Sequence, residues 1–415
     1  MNSPKIRFKG YTEDWEQRKL DDVTVKIGSG KTPSGGENAY VDAGIPLIRS
    51  QNVNDNKVDF EDIVYIDEST DKLMMNSRVF ANDVLLNITG ASIGRSAVYK
   101  GLDEGNVNQH VCIIRPIEGY HPDFIQLNLA SDRGQKQIKS SQTGGGREGL
   151  NFQQIGKMKF VFPTLDEQKQ IGNYFNNIDH LITLHQRKCE QTKTLKKYML
   201  QKMFPQEGQK VPEIRFEGFT GDWEQRKVSE IAIEKLSNGI MNNQVNDETG
   251  LRHINVINMY DPDKIHPEKL TFSGYDEDAV KKCNVELGDI FLTRSSLKPE
   301  GIAEANVLLD SGRFVYDDHL IRLKVDKEKY DPFFVKLNLS ERAFKRQFII
   351  RAKTTAFTTI GQEDIAECSG LFPEKKEQEK IGTYFSQLDH LITLHQREYE
   401  KLQELKKFML QNMFV

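Results

Sequence analysis

Apolar residues recur at alternating steps of three and four along two long segments of the chain. In residues 164–205 the series begins with Ile171 and Phe175 and continues without a proline to the last residues of the segment. Thr164 and Glu167 have the spacing of a capping box, which marks a helix start. The heptad pattern therefore predicts a helix of about 38 residues, about 57 Å long, with a coiled-coil seam.

The same pattern returns in residues 374–415 because the chain contains an internal repeat. The sequence DHLITLHQR occurs unchanged at 179–187 and 389–397, and the opening arms IRFKGYTEDWEQRKL and IRFEGFTGDWEQRKV also match. A period of about 210 residues corresponds to one domain plus a connector, since solenoid repeats have periods of 20 to 50 residues. Two such helices in one chain are expected to pack on each other.

Short apolar or alternating stretches fill the two bodies that precede the helices. DVLLNIT, HVCIIRP and FVFP in the first body, with DIFLTR and LIRLKV in the second, are bounded by Gly, Asn, Asp and Pro, which is typical of short strands. HPDFIQLNLAS and DPFFVKLNLSE share apolar positions and differ in polar ones, which indicates one fold carrying two surfaces. We predict segments at 1–163, 164–205, 206–373 and 374–415.

Composition places the chain among well-solvated proteins with room for several cores. Of 415 residues, 37% are hydrophobic and 28% charged, and no stretch approaches the ~18 to 20 apolar residues of a membrane span. The start lacks an apolar signal sequence, so a cytoplasmic location and no membrane partner are expected. The net charge of −4 argues against indiscriminate nucleic-acid binding but leaves room for a local basic face.

Motifs for covalent chemistry or metal binding are incomplete. VKIGSGKT has Val25 where a phosphate-binding loop needs its first glycine. DPFF resembles a methyltransferase base-holding box, but its repeat partner is HPDF, which favours a helix start with proline at N1. The histidines of DHLITLHQR are five apart and face away from each other, and the four cysteines lack C-x-x-C spacing. We expect no catalytic residue, metal ligand or cofactor in this chain.

Polar loop residues and basic helix residues are the candidates for contact with nucleic acid. Arg, Asn, Gln, Ser and Thr on loops can read base edges, and Lys and Arg can hold phosphates. Asn-rich turns and solvated helix faces are the alternative interpretation. In the first body the candidates are Lys31, Arg49, Ser50, Gln51, Asn52, Thr89, Ser92, Arg95, Asn108, Gln109, His110, Lys136, Lys139 and Arg147. In the second body they are Arg252, His253, Asn255, Thr293, Arg294, Ser295, Lys298, His319, Lys345, Arg346, Arg351 and Lys353.

Identical polar residues in the two helices are candidates for binding the same partner twice. An intramolecular seam alone does not need them, although a recent duplication would also leave them identical. His185 and His395 fall on the seam and are expected to specify helix pairing. The candidate partner-binding residues are Asp179, His180, Gln186, Arg187, Asp389, His390, Gln396 and Arg397.

Several phrases of the sequence resemble the specificity subunits of type I restriction-modification enzymes. They are SGKTPSGG, GIPLIRSQNV, DVLLNITGASIGR, NVNQHVCIIRP and FPTLDEQKQIGNYFNNIDHLI. The resemblance implies an α+β fold, with two mixed α/β target-recognition domains separated by two long antiparallel coiled-coil helices in a pseudo-two-fold arrangement. The second body departs from these phrases, because it has TRSSLKPEGIAEA where the first body has NITGASIGR.

The same resemblance implies a function in DNA recognition. Each domain would read one half of a bipartite, asymmetric site on double-stranded DNA, and the helices would set the spacing. The chain would recruit two methyltransferase subunits that use SAM for adenine methylation, and through them restriction and translocase subunits that use ATP and Mg. A self-contained restriction or modification enzyme, and a scaffold that binds only proteins, are the alternatives.

Exchange of residues 21–160 for another reader should change one half of the recognised site. Only the first body is replaced, while both helices and the second body are kept. Mapping of methylated adenines in the host genome measures the outcome, and alteration of both halves would contradict the modular arrangement.

Overall fold

The computed structural model describes residues 3–54, 56–101, 104–142, 149–246 and 248–415. The chain divides into two compact units. Unit 1 comprises Met1–Leu184 and Glu398–Val415, and unit 2 comprises His185–Arg397. The predicted segments follow the repeat of the sequence, whereas the units follow packing, so each long helix begins in one unit and ends in the other.

Unit 1 is built from short strands and helices followed by the first long helix. The strands are β1 (Glu16–Lys19), β2 (Thr24–Ser29), β3 (Ile45–Ile48), β4 (Val53–Asn54), β5 (Lys57–Val58), β6 (Val64–Ile66), β7 (Arg78–Val79), β8 (Val84–Asn87), β9 (Ser96–Val98), β10 (Gly105–Val107), β11 (Val111–Pro116) and β12 (Lys159–Phe162). The helices are α1 (Glu68–Leu73), α2 (Pro122–Ala130), α3 (Asp132–Ser141), α4 (Phe152–Gly156) and α5 (Leu165–Met203).

Two four-stranded sheets form the body of unit 1. One is antiparallel with the order β2-β11-β8-β9, and the other has the order β6-β3-β10-β7 with a parallel β3–β10 pair. All four residues of β8 are buried, because this strand lies inside its sheet and is covered on both faces. β8 and β11 are the two inner strands of the antiparallel sheet, and the end at which Asn87 pairs with Val111 positions the loop after β8 and the loop before β11.

Unit 2 repeats this plan with small changes. Its strands are β13 (Glu224–Lys227), β14 (Ser237–Asn238), β15 (Gln244–Val245), β16 (Leu251–Ile254), β17 (Thr271–Ser273), β18 (Ile290–Thr293), β19 (Ser295–Ser296), β20 (Ala305–Val307), β21 (Phe314–Tyr316), β22 (Leu320–Leu323), β23 (Lys353–Thr354), β24 (Thr358–Thr359) and β25 (Ser369–Phe372). Its helices are α6 (Val228–Ile231), α7 (Glu277–Cys283), α8 (Pro332–Ser340), α9 (Arg342–Arg351), α10 (Gln362–Ala366) and α11 (Lys375–Asn412).

The sheets of unit 2 have the orders β14-β22-β18-β20 and β15-β17-β16-β21. The pair β16–β21 is parallel, as β3–β10 is in unit 1. Unit 2 also has a small sheet with the order β19-β24-β23. The observed elements confirm the predicted mixed α/β bodies and the long helices.

A buried carboxylate joins each opening arm to the first turn of a long helix. In unit 1, Arg7 Nε and Nη2 donate to the two carboxylate oxygens of Glu167 at 2.7 and 2.8 Å. In unit 2, Arg215 makes the same two hydrogen bonds to Glu377 at 2.6 and 2.7 Å. Both glutamates are fully buried, and a buried carboxylate needs an ionic partner. The arginine of each arm supplies that positive charge at the helix start.

The glutamine after each of these glutamates connects the helix to the preceding loop and to a second helix. Gln168 Nε2 donates to the carbonyl of Pro163 at 2.9 Å, and its Oε1 accepts from the backbone N–H of His121 at 2.9 Å. Gln378 makes the equivalent bonds with Pro373 and Asp331 at 2.8 and 3.1 Å. The FP-x-x-x-EQ motif therefore connects the start of each long helix to its body.

Aromatic packing places the far end of one long helix in the core of each unit. In unit 1, Phe414 packs on Phe124 with ring centroids 5.5 Å apart, and Trp15 packs on the same ring at 5.6 Å. In unit 2, the ring of Phe204 stacks on Phe334 at 5.6 Å. Each body is thus completed by a phenylalanine that follows the helix of the other repeat.

The two long helices pair antiparallel within each unit. Lys406 bonds to Asp179 in unit 1, and Lys196 bonds to Asp389 in unit 2. In unit 2 the Nδ1 atoms of His185 and His395 lie 3.2 Å apart. The predicted contact at the seam is therefore present. Among the described residues, no helix combines the length and the apolar character needed to cross a lipid bilayer.

Arg215→Met should destabilise the protein by about 3–5 kcal/mol, because it leaves the carboxylate of Glu377 buried without its ionic partner. The control is Arg226→Met, which removes an exposed pair with Glu224 and should leave the unfolding midpoint close to that of the wild type. Urea unfolding midpoints followed by circular dichroism compare the two variants. Equal midpoints would contradict the role given to the buried pair.

Candidate nucleic-acid interface

Backbone hydrogen bonds bring the predicted loops of unit 1 together at one end of β8 and β11. We define the first loop cluster as residues 30–31, 49–54, 88–95 and 108–110. The N–H of Asn108 donates to Ile48 O at 3.0 Å, that of Ile88 to His110 O at 3.0 Å, and the side chain of Asn87 to Ser50 O at 2.8 Å. Four segments distant in sequence therefore share one surface.

Unit 2 has a second loop cluster, residues 239–241, 255–258, 294–298, 317–319 and 353–360. The N–H of Asp317 donates to Ile254 O at 3.0 Å, and that of Arg294 donates to His319 O at 2.8 Å. These bonds are the counterparts of Asn108 to Ile48 and of Ile88 to His110. The loop clusters therefore share one backbone frame.

A glycine permits the closest approach in each cluster. A Cβ at Gly30 would lie 1.7 Å from the carbonyl oxygen of Val107, and a Cβ at Gly239 would lie 1.9 Å from that of Tyr316. Both distances are far below contact, so the loop cannot carry a side chain there without moving. The glycine of SGKT thus serves loop packing, which agrees with the rejection of a phosphate-binding loop.

Most predicted base-reading residues lie on these clusters and reach solvent. Exposed residues can meet a ligand without rearrangement of the core. In the first cluster the exposed ones are Lys31, Gln51, Arg95 and Gln109, while Arg49, Ser50, Thr89, Ser92, Asn108 and His110 are half-buried. In unit 2, Arg252, Arg294, Lys298, His319, Arg351 and Lys353 are exposed, and Ser295 is half-buried.

Three predicted base readers are buried and support the loops instead. Asn52 is 1% exposed, and its amide donates to the carbonyls of Asp59 and Asp62. Thr293 is fully buried, and its hydroxyl donates to the Gly301 carbonyl. The assignment of these side chains to DNA is wrong, because base contact would require unfolding their loops.

His253 is the third buried residue of this group. It is fully buried, and its Nδ1 lies 2.7 Å from the hydroxyl of Ser273. Burial lowers the pKa of the imidazole, while Asp317 and Asp318 oppose that change. The buried imidazole links β16 to β17 and cannot contact a phosphate or a base.

Two further candidates are occupied by contacts within the protein. The ammonium group of Lys345 bonds to the carbonyls of Ile302 and Ala303 and to Glu304 at 2.6 Å, so it is not placed for a phosphate. The side chain of Asn255 is half-buried and donates to Thr271 Oγ1 at 2.7 Å. Both side chains hold loops in place, and their assignment to DNA contact stays a prediction.

Other candidates have partners at the surface. Arg49 and Gln51 both bond to Asp62, and Arg346 pairs with Glu207 in the open, where such pairs contribute little. Lys136 and Lys139 lie exposed on α3. Arg147 lies outside the described residues.

The two clusters present different chemistry at equivalent positions. The first has Asn108 and Gln109 beside His110, whose Nδ1 is 2.6 Å from Thr89 Oγ1. At the matching place the second has Asp317 and Asp318 beside His319, with Nδ1 to carboxylate distances of 3.1 and 3.0 Å. Amides offer donors and acceptors, whereas carboxylates accept only, so the two clusters offer different hydrogen-bonding groups.

Those two aspartates and His319 form the one group of metal-ligand type found among the described residues. Exposed carboxylates of this kind are common without an ion, so the group supports no metal assignment.

Sequence reasoning missed residues of two kinds. Asn87 is fully buried and holds the Ser50 carbonyl, which only the fold brings near. Leu297 and Phe357 are 81% and 54% exposed on the second cluster. The available signal was an apolar residue inside each of the polar runs RSSLK and KTTAFTT.

The predicted partner residues divide between the helix seam and the surface. Asp389 is buried and bonds to Lys196 of the opposite helix, so its assignment to partner binding is wrong. Asp179 is half-buried and bonds to Lys406, and its assignment stays a prediction. Burial raises the pKa of both carboxyls, and the lysines oppose that rise. Gln396 is half-buried beside Cys189. The exposed members are His180, Gln186, Arg187, His390 and Arg397.

Exposed apolar residues of the helices recur in the two units. Leu181, Leu405 and Phe408 are 39–52% exposed in unit 1, and Leu391, Leu195 and Tyr198 are 41–48% exposed in unit 2. The members correspond one to one across the repeat. We call these two sets the paired apolar patches.

Comparison with known proteins gives matches along the whole chain. The model of a family described as "Type I restriction modification DNA specificity domain" matches residues 12–194 and 220–404. A protein provisionally described as the MjaX specificity subunit of a type I restriction enzyme, from Methanocaldococcus jannaschii, is 24% identical over 424 residues, which cover 98% of this chain and 94% of that protein. The EcoKI specificity subunit of Escherichia coli strain K12 is 23% identical, with 91% and 82% covered.

The fold also matches a solved structure. The crystal structure of the S subunit of a type I restriction-modification system from M. genitalium has a TM-score of 0.63 and 13% sequence identity, with 100% of this chain and 99% of that chain covered. At this identity the likeness concerns the fold alone, and it confirms the predicted fold class.

Gln109→Ala should lower the discrimination between bases at one base pair by about 1–3 kcal/mol, because it removes an exposed amide that can hydrogen-bond to a base edge. Lys136→Ala with Lys139→Ala should weaken binding to all sequences and lower the salt slope by about 2. Fluorescence anisotropy with single-base variants over a range of salt separates these effects. An equal loss on every sequence for Gln109→Ala would contradict a base-reading role.

Proposed function

Because this chain belongs to the family of type I restriction-modification DNA specificity domains and carries two copies, we propose that each unit recognises one half of a bipartite, asymmetric DNA site. The chain is a DNA sequence-recognition subunit, and catalysis resides in other subunits of such systems. The proposal concerns how the recognition is divided between the units.

The relation between the two loop clusters carries the proposal. Asn108 and Asp317 make the same backbone bond in the two units, as do Ile88 and Arg294. The side chains on this common frame differ, with amides at the first cluster and carboxylates at the second. One frame with two sets of side chains suits two unlike half-sites, since base edges are distinguished by their donor and acceptor patterns.

The long helices are proposed to fix the distance between the half-sites. Each helix belongs to both units, and the ion pairs of Asp179 and Asp389 fix the register of the pair within each unit. A helix rises 1.5 Å per residue, and duplex DNA rises 3.4 Å per base pair. One heptad, about 10.5 Å, corresponds to about three base pairs.

Two methyltransferase subunits are the proposed partners, one for each unit. The paired apolar patches and the exposed His180, Arg187, His390 and Arg397 occur in both units, so each unit offers the same chemistry. The restriction and translocase subunits would join through the methyltransferases. SAM, ATP and Mg would be bound by those partners, and the assembly would act in the cytoplasm.

The direct test is to map methylated adenines in the host genome with and without this chain. A motif of two short half-sites separated by unspecified bases is expected. A continuous motif, or methylation that is unchanged when the chain is deleted, would contradict the proposal.

Deletion of residues 188–194 together with 398–404, which keeps the proposed partner-binding residues, should shorten the unspecified gap by about three base pairs. The two deletions are one repeat apart, so Asp179 and Lys406, as well as Lys196 and Asp389, remain opposite each other. The opposite control duplicates the same two heptads and should lengthen the gap equally. Methylated motifs with an unchanged gap in both variants would refute the role of helix length.

A further inference from the structure

Two large apolar side chains lie next to each other at the tip of a small sheet in unit 2. In this sheet Ser296 pairs with Thr358, so Leu297 and Phe357 occupy the next position along the two strands. Leu297 is 81% exposed and Phe357 is 54% exposed. We call residues 294–298 with 351–359 the tongue. A single exposed apolar side chain is common, but two at neighbouring positions of a tip form a small exposed apolar surface.

The tongue is anchored in the core of unit 2. Thr358 and Ile360 are 1% and 2% exposed, and the N–H of Ile360 donates to Arg294 O at 3.0 Å. The turn is closed by the N–H of Thr355, which donates to Phe357 O at 3.0 Å. The hydroxyls of Thr354 and Thr358 lie 3.2 Å apart across the strands. The apolar tip is therefore presented on a hydrogen-bonded support.

The tongue carries an excess of positive charge. The tongue contains Arg294, Lys298, Arg351 and Lys353, and no aspartate or glutamate. All four cationic side chains are exposed. The whole chain has a net charge of −4, so this local excess of positive charge is a property of the tongue. An apolar tip on a segment rich in exposed cations matches a polyanion with apolar faces between its charges, which is the chemistry of stacked bases between phosphate strands.

We propose that the tongue enters the DNA at the half-site of unit 2 and presses Leu297 and Phe357 against a base-pair step, which they partly unstack. The four cations contact the phosphates on either side. This inference rests on the proposed function and adds a mode of recognition to it, in which unit 2 selects a step that deforms at low cost. Pyrimidine–purine steps, TA and CA/TG, have this property.

The mode differs from direct reading of base edges. Apolar side chains form no hydrogen bonds with bases, so the tongue would select through the energy of unstacking, which amounts to a few kcal/mol per step. The equivalent segment of unit 1 includes residues outside the described ranges, so the proposal is confined to unit 2.

Permanganate footprinting of the full chain without its methyltransferase partners tests the proposal on duplexes that contain the mapped site, because those partners would flip adenines and expose the opposing thymines. Permanganate oxidises unstacked thymines, and each pyrimidine–purine step named above contains a thymine on at least one strand. The expected result is one hyperreactive step in the half-site of unit 2. Leu297→Ala with Phe357→Ala should abolish it and weaken specific binding by roughly tenfold or more.

The matched control is Leu287→Ala, which removes an exposed leucine of the same unit outside the tongue and should keep the hyperreactive step. Circular dichroism melting verifies that the double variant is folded. Absence of a hyperreactive step, or a step that persists in the double variant, would overturn the proposal. Loss of methyltransferase assembly with an unchanged footprint would also overturn it, because the tongue would then contact protein.

The proposed function fails in a different way. If the wild-type chain binds the mapped site no better than a scrambled duplex, division of the site between the units is contradicted. If binding is specific and only the effect of the double variant is missing, the tongue alone is contradicted.

Discussion

Each body of this protein depends on an aromatic side chain that comes from the far end of a helix begun in the other repeat. Phe414 meets Phe124 in unit 1, and Phe204 meets Phe334 in unit 2. At the near end of each helix a fully buried glutamate is held by an arginine of the opening arm. A helix fixed at both ends cannot slide without exposing aromatic surface or breaking a buried ion pair, and both losses are costly. The antiparallel register within each unit follows from these contacts.

The duplication keeps what supports the fold and changes what lies on its surface. Both units have a glycine at the close loop approach, Gly30 in one and Gly239 in the other. They also share the loop hydrogen bond made by Asn108 or Asp317, and the connection at the helix start. The side chains that reach solvent at the loop clusters differ. A frame that depends on backbone bonds tolerates such changes, because exposed side chains contribute little to stability. Recognition can therefore diverge while the fold is preserved.

The sequence predicted the long helices, the mixed bodies and the location of the loops, since heptads, short strands and turn residues are local signals. It did not separate supporting polar residues from exposed ones. Asn52 and Gln51 are adjacent and chemically alike, yet one is buried under its loop and the other is at the surface. Asp389 was also misassigned, because the lysine that meets it is 193 residues away in the chain. Burial and long-range pairing depend on tertiary structure, which no local pattern contains.

The discontinuity of unit 1 has a consequence for biosynthesis. Residues 398–415 leave the ribosome after all of unit 2 has been made, so the body translated first must wait for them. At roughly 5–20 residues per second, the intervening 213 residues take on the order of 10 to 40 seconds. During that interval the ring of Phe124 lacks its contact with Phe414, and chaperones could bind the nascent chain there. Unit 2 is continuous in sequence and has no such delay, so unit 1 can be completed only after unit 2 has been synthesised.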